Sequence, residues 1–242
     1  ILTFKDNMLI NEHSEIEVEH DAFLIDSPLI VNSINNFYDS DETYSDELIS
    51  KIANKMENNE VSLSNIFAKE KLSSIISKIN NVVRGDIVVE NSNYLLKEKG
   101  NDTSTKFINL STGLKTFVLL KMLLENNVIK ESDVLIFDEP EVHLHPQWQI
   151  VYAELIVLLQ KEFNLSIVVT THSKDFVEAI ELFSQKYEIF DKCSFYISSE
   201  SENGAVFNDL DGDVSEIYAH LISPSELLDK LRFELENKKT NE

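Results

Sequence analysis

The sequence is poor in the residues that make disulfides, tight loops and cationic surfaces. One cysteine, Cys193, excludes an intrachain disulfide, and nothing in cysteine usage points to an oxidising compartment. Only 21 Lys and Arg oppose 43 Asp and Glu, a formal net charge of −22. A surface so acidic repels phosphate backbones, so direct non-specific nucleic-acid binding is not expected of it. No apolar stretch approaches the roughly 20 residues a membrane-crossing helix needs, so no membrane role is expected. With five glycines in 242 residues, glycine-rich loops are scarce. The phosphate-cradling pattern G-x-x-x-x-G-K-[ST] occurs nowhere; Gly113-Leu114-Lys115-Thr116 supplies its ending without the preceding glycine. The chain opens at Ile1 with neither a charged leader nor a signal-like apolar block, and the expectation is a cytoplasmic protein truncated at its beginning.

What is present suffices for a packed α/β core: 43% of the residues are hydrophobic. Residues 1–31 have the pattern of extended segments, with Glu15 to Glu19 alternating at strand period and Phe23-Leu24-Ile25 running into Ser27-Pro28. Asp39 to Glu47 is an acidic stretch suited to a surface loop. Leu48, Ile49, Ile52 and Met56 share one helical face, and Leu72, Ile75, Ile76 and Ile79 share another. Gly85 breaks this pattern. Strands are expected at Ile87 to Val89, Tyr94 to Leu96 and Lys106 to Ile108, with a turn at Gly100 to Asp102.

From Ser111 the order becomes regular: helix 112–127, buried strand 133–138, helix 146–163 with Pro146 in its first turn, buried strand 165–171 and helix 174–187. Alternating strands and helices favour a parallel sheet. A strand at 194–199 and a hairpin arm around Gly204 come next. Asp213 with Glu216, and Ser223 with Glu226, have capping-box spacing for two further helices.

Three motifs carry chemistry. Val134-Leu135-Ile136-Phe137 delivers Asp138 and Glu139 to a strand end, where Asp138 can hold hydrated Mg²⁺ and Glu139 can orient or deprotonate a water. Ser111 opens a helix whose first-turn N–H groups lack partners, so its hydroxyl and the Gly113 N–H could receive a phosphate; taken by itself the motif is better accounted for by an ordinary N-cap. The strand Val168-Val169-Thr170-Thr171 ends in His172, placed to contact a γ-phosphate. His143-Leu144-His145 with Asp138, Glu139 and Glu141 also permits a metal-dependent nuclease site. Asp209 to Asp213 resembles a calcium loop, but its glycine comes too early for the EF-hand pattern, which favours a turn and helix cap. Trp148, Tyr152, Leu155, Ile156 and Leu159 form a helix face suited to core or dimer packing.

In this order the motifs resemble those of ABC-type ATPases, in the branch of SMC and Rad-type heads, overcoming-lysogenization-defect nucleases and the PtuA-type ATPases of Septu and retron-associated anti-phage defence. Leu110 to Lys115 looks like the signature motif, Val134 to Glu139 like the Walker B strand, Glu141 to Pro146 like the D-loop, and His172 like the switch histidine. The resemblance implies a partial P-loop NTPase-like ABC head, an α/β fold with a parallel sheet flanked by helices. It assigns residues 1–104 to an arm or insertion region and 105–242 to the C-terminal lobe. It further implies ATP and Mg²⁺ as cofactors, Asp138 for the metal, and Glu139 and His172 as catalytic groups. Ser111, Thr112, Gly113 and Lys115 would reach a partner head's ATP, beside His143 and His145 of the D-loop. The partners it implies are a second head in a homodimer or larger homo-oligomer, and a protein effector such as an HNH-type nuclease. A catalytically degenerate scaffold that binds a protein effector is the reading from a different class, motivated by the missing phosphate loop.

Overall fold

The computed structural model describes residues 2–5, 8–12, 20–35, 48–52, 65–90, 93–98, 100, 104–201 and 204–240. The expected features at Glu15–Glu19, Asp39–Glu47, Met56 and Asn101–Asp102 lie outside them. In chain order the strands are β1 (Leu2–Lys5), β2 (Met8–Glu12), β3 (Ala22–Ile25), β4 (Gly85–Glu90), β5 (Asn93–Glu98), β6 (Ser104–Lys106), β7 (Val134–Asp138), β8 (Ser166–Thr170), β9 (Tyr196–Ser201) and β10 (Gly204–Asp209). The helices are α1 (Asn65–Val82), α2 (Thr112–Glu125), α3 (Pro146–Phe163), α4 (Lys174–Lys186) and α5 (Ser215–Thr240). A further helical segment lies at 48–52.

The sheet that positions the site has the order β3-β7-β8, with both pairings parallel. Leu135 and Phe137 of the middle strand are fully buried. The register sets Phe137 beside Val169 and Asp138 beside Thr170, so both strands bring their polar ends to the same rim. The fold is thus mixed α/β with a parallel sheet flanked by helices, as the alternating pattern implies. One expectation fails. Strand β8 is not buried: Val168 is 54% exposed, because among the described residues β8 pairs only with β7 and its outer face is uncovered.

Behind the sheet, one core cluster joins β3, β7 and helices α1 to α4. Helix α2 is buried almost all round, from Gly113 to Leu124, which explains why its apolar residues do not keep to one face. Its end is set by Asn126 and by Asn127 in the left-handed region at φ 51°; Asn164, also at φ 51°, closes α3 in the same way. The α3 face of Tyr152, Leu155, Ile156 and Leu159 packs into the core as expected, with Trp148 at its margin.

Two buried polar clamps attach α1 to this core. Lys121 of α2 donates from Nζ to the Asn80 side chain at 2.8 Å and to the Gly85 carbonyl at 2.7 Å. Glu154 of α3 accepts hydrogen bonds from Lys78, Lys186 and Tyr187. Burial opposes ionisation of Glu154, but these hydrogen bonds outweigh it and hold the carboxyl below the usual carboxylate range. Gly85 is no helix-to-loop break alone: it opens β4, and a Cβ there would meet the Lys97 carbonyl of β5 at 2.5 Å. Strands β4, β5 and β6 form an antiparallel sheet.

Two other expectations are corrected. The strand expected through Ile108 stops at Lys106, and Phe107–Asn109 turn as a 3₁₀ segment that buries the Phe107 ring. The last two helices are one: α5 runs through Pro224 without restarting at Ser223. Proline removes a single backbone donor, and the Glu-Leu-Leu-Asp-Lys-Leu-Arg run that follows consists largely of strong helix formers. Asp213 accepts from the Ser215 N–H at 2.9 Å, and Asp211 and Gly212 take left-handed backbones, so Asp209 to Asp213 is a turn before a helix.

Candidate nucleotide-handling site at the sheet rim

The site grows from the ends of β7 and β8. Asp138 closes β7 and is exposed; Glu139 follows with a left-handed backbone, φ 44°. That conformation is costly for a residue with a Cβ and persists only where its surroundings hold it. Thr170 does so: its hydroxyl accepts the Glu139 N–H at 3.0 Å, and its carbonyl accepts the same N–H at 3.1 Å. The Thr170 hydroxyl also donates to Asp138 Oδ1 at 2.5 Å. One threonine therefore binds the Asp138 carboxylate and fixes the backbone that carries Glu139.

Next along the chain, His172 lies with Nε2 3.2 Å from Glu139 Oε1, its side chain 84% exposed. Asp138, Glu139 and His172 come from two parallel strands and converge on one solvent-facing rim. Beside them opens a cleft of about 270 Å³, lined by Asp26, Ser27, Asp138, Glu139, His143 and Tyr152 among others. An exposed Asp carboxylate at a strand end is an oxygen ligand of the kind Mg²⁺ takes when phosphates and waters complete its shell. Among the described residues there is no cluster of three or more His, Cys, Asp or Glu side chains able to hold a metal unaided.

The signature-like segment is placed differently. Ser111 caps α2, its hydroxyl accepting the Leu114 N–H at 3.3 Å, and stays exposed. Thr112 is half-buried, and its carbonyl accepts the Thr116 hydroxyl. Lys115 is buried, its ammonium donating to the Ile108 carbonyl at 3.1 Å, which turns it away from any exposed ligand. Gly113 is pressed against the turn that follows β7: a Cβ there would lie 2.7 Å from the His143 carbonyl. The segment and the D-loop-like turn thus meet through Gly113 and His143. Gly113→Ala is expected to cost about 1–3 kcal/mol by overpacking and to lower the melting temperature by roughly 2–12 °C; an unchanged thermal melt would show that the turn gives way freely.

His143 and His145 are both exposed, and His145 caps α3, its Nδ1 accepting the Gln147 N–H at 3.3 Å. Glu141, considered in the sequence as a metal ligand, is buried and binds the His172 loop instead. The roles of Thr170 and Glu141 were not legible from residue type. A polar Thr170-Thr171 pair directly after Val168-Val169 was the available signal.

Residues 8–177 match the model of the AAA ATPase domain. The chain belongs to that family. This AAA ATPase domain is also similar to the retron Ec83 probable ATPase of Escherichia coli, 34% identical over 92 residues. That match covers 34% of the chain and 16% of the relative's length. Among solved structures it is similar to one described by the ATP-driven dimerization and DNA-stimulated activation of SMC ATPases, at 17% identity and a TM-score of 0.43, covering 68% of this chain and 91% of that one. The SMC head domain from Thermotoga maritima aligns at 15% identity and a TM-score of 0.40, covering 77% and 53%.

Proposed function

We propose that this AAA ATPase domain binds and hydrolyses ATP at the rim formed by β7 and β8. The observation that carries the reading is the convergence of Asp138, Glu139 and His172, with the Glu139 carboxylate 3.2 Å from the imidazole. Asp138 would hold Mg²⁺, which when bound would draw charge from the phosphates of ATP. Glu139 accepts a proton from the attacking water, and His172 orients the Glu139 carboxylate while facing the terminal phosphate. A phosphate-cradling loop, which these residues do not contain, comes from another segment or chain. The exposed outer face of β8 beside Thr170 is a fitting place for it.

Two heads pair face to face, so that Ser111, Thr112 and Gly113 of one approach the ATP held by the other, with His143 and His145 beside that interface. Lys115 drops out of this set, since the Ile108 carbonyl holds it inside. The similarity to a retron ATPase supports an anti-phage role in which nucleotide state is passed to an effector, an HNH-type nuclease being the proposed class.

Mixing two inactive variants of the complete gene product tests the pairing. Ser111→Arg and Glu139→Gln are each expected to lose turnover. In a mixed dimer one of the two composite sites is intact, so an equimolar mixture should regain about a quarter of wild-type turnover by random pairing. No regain on mixing would remove the head-to-head arrangement, and no turnover by the wild type would favour the scaffold. Thr170→Val is a milder probe. It removes the hydroxyl that binds the Asp138 carboxylate and the Glu139 N–H while keeping side-chain volume, and should lower kcat about 10- to 100-fold with little change in thermal stability. Unaltered turnover would show that the two carboxylates aim themselves.

A further inference from the structure

Glu141 follows the catalytic pair by two positions yet faces away from solvent, its residue only 3% exposed. Its Oε1 accepts two consecutive donors of the bend between β8 and α4: the Thr171 hydroxyl at 2.5 Å and the His172 N–H at 3.1 Å. The Thr171 hydroxyl in turn accepts the Ser173 N–H at 3.1 Å, so one carboxylate oxygen organises three successive residues. A second tie runs alongside. Gln149 donates to the carbonyls of Glu141 and Leu144, and its Oε1 accepts the Ser173 hydroxyl at 2.9 Å.

The other oxygen of Glu141 is buried and has no hydrogen-bond partner among the described residues. A buried carboxylate with one idle oxygen is a poor way to stabilise a fold, because its desolvation is only partly offset. Such breaches of local economy are expected where a side chain serves a site. Here the beneficiary is visible. The His172 imidazole projects into solvent with the Glu139 carboxylate as its contact, so its aim depends on where its backbone is held, and Glu141 holds that backbone.

We propose that Glu141 is the positioning residue for His172: it does not touch the nucleotide, and acts by fixing the backbone from which the imidazole reaches Glu139 and the terminal phosphate. The consequence for turnover rests on the ATPase reading above; the positional claim does not.

The test uses the complete gene product with Glu141→Ala, Glu141→Gln, Thr171→Val and His172→Ala, singly and combined. Glu141→Ala should lower kcat about tenfold with KM for ATP changed less than about twofold. Glu141→Gln should retain most of the activity, because its amide oxygen can accept the same two donors. In the His172→Ala background, neither Glu141→Ala nor Thr171→Val should cost anything further, since the group they position is gone. Equal losses in both backgrounds, or a Glu141→Gln protein as impaired as Glu141→Ala, would overturn the proposal. Amide hydrogen exchange at His172 reads the same claim without ATP: it should quicken in Glu141→Ala and not in Glu141→Gln, and unchanged protection in both would overturn it. A wild type without ATPase activity sinks the proposed function while leaving this exchange measurement decisive. Should Glu141→Ala fail to fold, Thr171→Val and Glu141→Gln carry the comparison.

Discussion

Glu139→Gln is expected to reduce ATP turnover of the complete gene product by about 10²- to 10⁴-fold, the range that loss of a positioned general base produces. The change is nearly isosteric and keeps an oxygen acceptor toward His172, whose Nε2 is 3.2 Å from Glu139 Oε1 in the native pair. It removes the carboxylate basicity needed to take a proton from water. The left-handed backbone at φ 44° is held by Thr170 through main-chain and hydroxyl contacts that do not involve the Glu139 side chain, so the fold should be untouched. ATP should still bind with Mg²⁺, because Asp138 is intact, and the variant should retain ATP where the wild type releases ADP. Measuring bound nucleotide after gel filtration separates the outcomes. Retained ATP with lost turnover fits a base, whereas unchanged turnover removes Glu139 from the chemistry.

Phe117→Ala should destabilise the fold by about 3–5 kcal/mol, the usual cost of emptying an aromatic site in a core. Phe117 of α2 is fully buried, and its ring meets Trp148 at 5.6 Å and Tyr152 at 5.3 Å, both edge-on. Tyr152 in turn meets Phe137 of β7 at 6.1 Å and 89°. Burial raises the Tyr152 phenol above its ordinary range, so it stays neutral as pH rises and the cluster holds. These rings lock the helix that Ser111 caps to the strand that ends in Asp138. The melting temperature should fall by roughly 6–20 °C, measured by calorimetry. A shift of a degree or two would mean the cluster repacks around the void.

The elements from Ser111 to Lys186 were legible because periodicity and capping signals coincide there. Ser111 and Pro146 open helices α2 and α3, and the left-handed Asn127 and Asn164 lie just beyond their ends. The convergence of Asp138, Glu139 and His172 on one rim had a related signal: Asp138 and Glu139 follow the apolar run Val134 to Phe137, and His172 follows Val168-Val169 after two threonines. What escaped is set by tertiary contact. Lys115, given to a partner head's ATP by the resemblance, is turned inward by the Ile108 carbonyl that accepts its ammonium. The position of Gly113 is decided by the His143 carbonyl across 30 residues, not by its own helix. Exposure of β8 depends on which strands flank it, information that Val168-Val169 does not contain. The continuous α5 shows the opposite failure, a local proline and serine signal overridden by the helix formers after it.

On the proposed function, ATP is handled where β7 and β8 end. Hydrogen–deuterium exchange of the complete gene product, with and without Mg²⁺ and ATP on the Glu139→Gln background to prevent turnover, locates the nucleotide directly. Protection confined to the segments around Asp138 to His143 and Thr170 to Ser173, with β9 and β10 unchanged, is the predicted result. Protection elsewhere with none at these two segments would contradict the account.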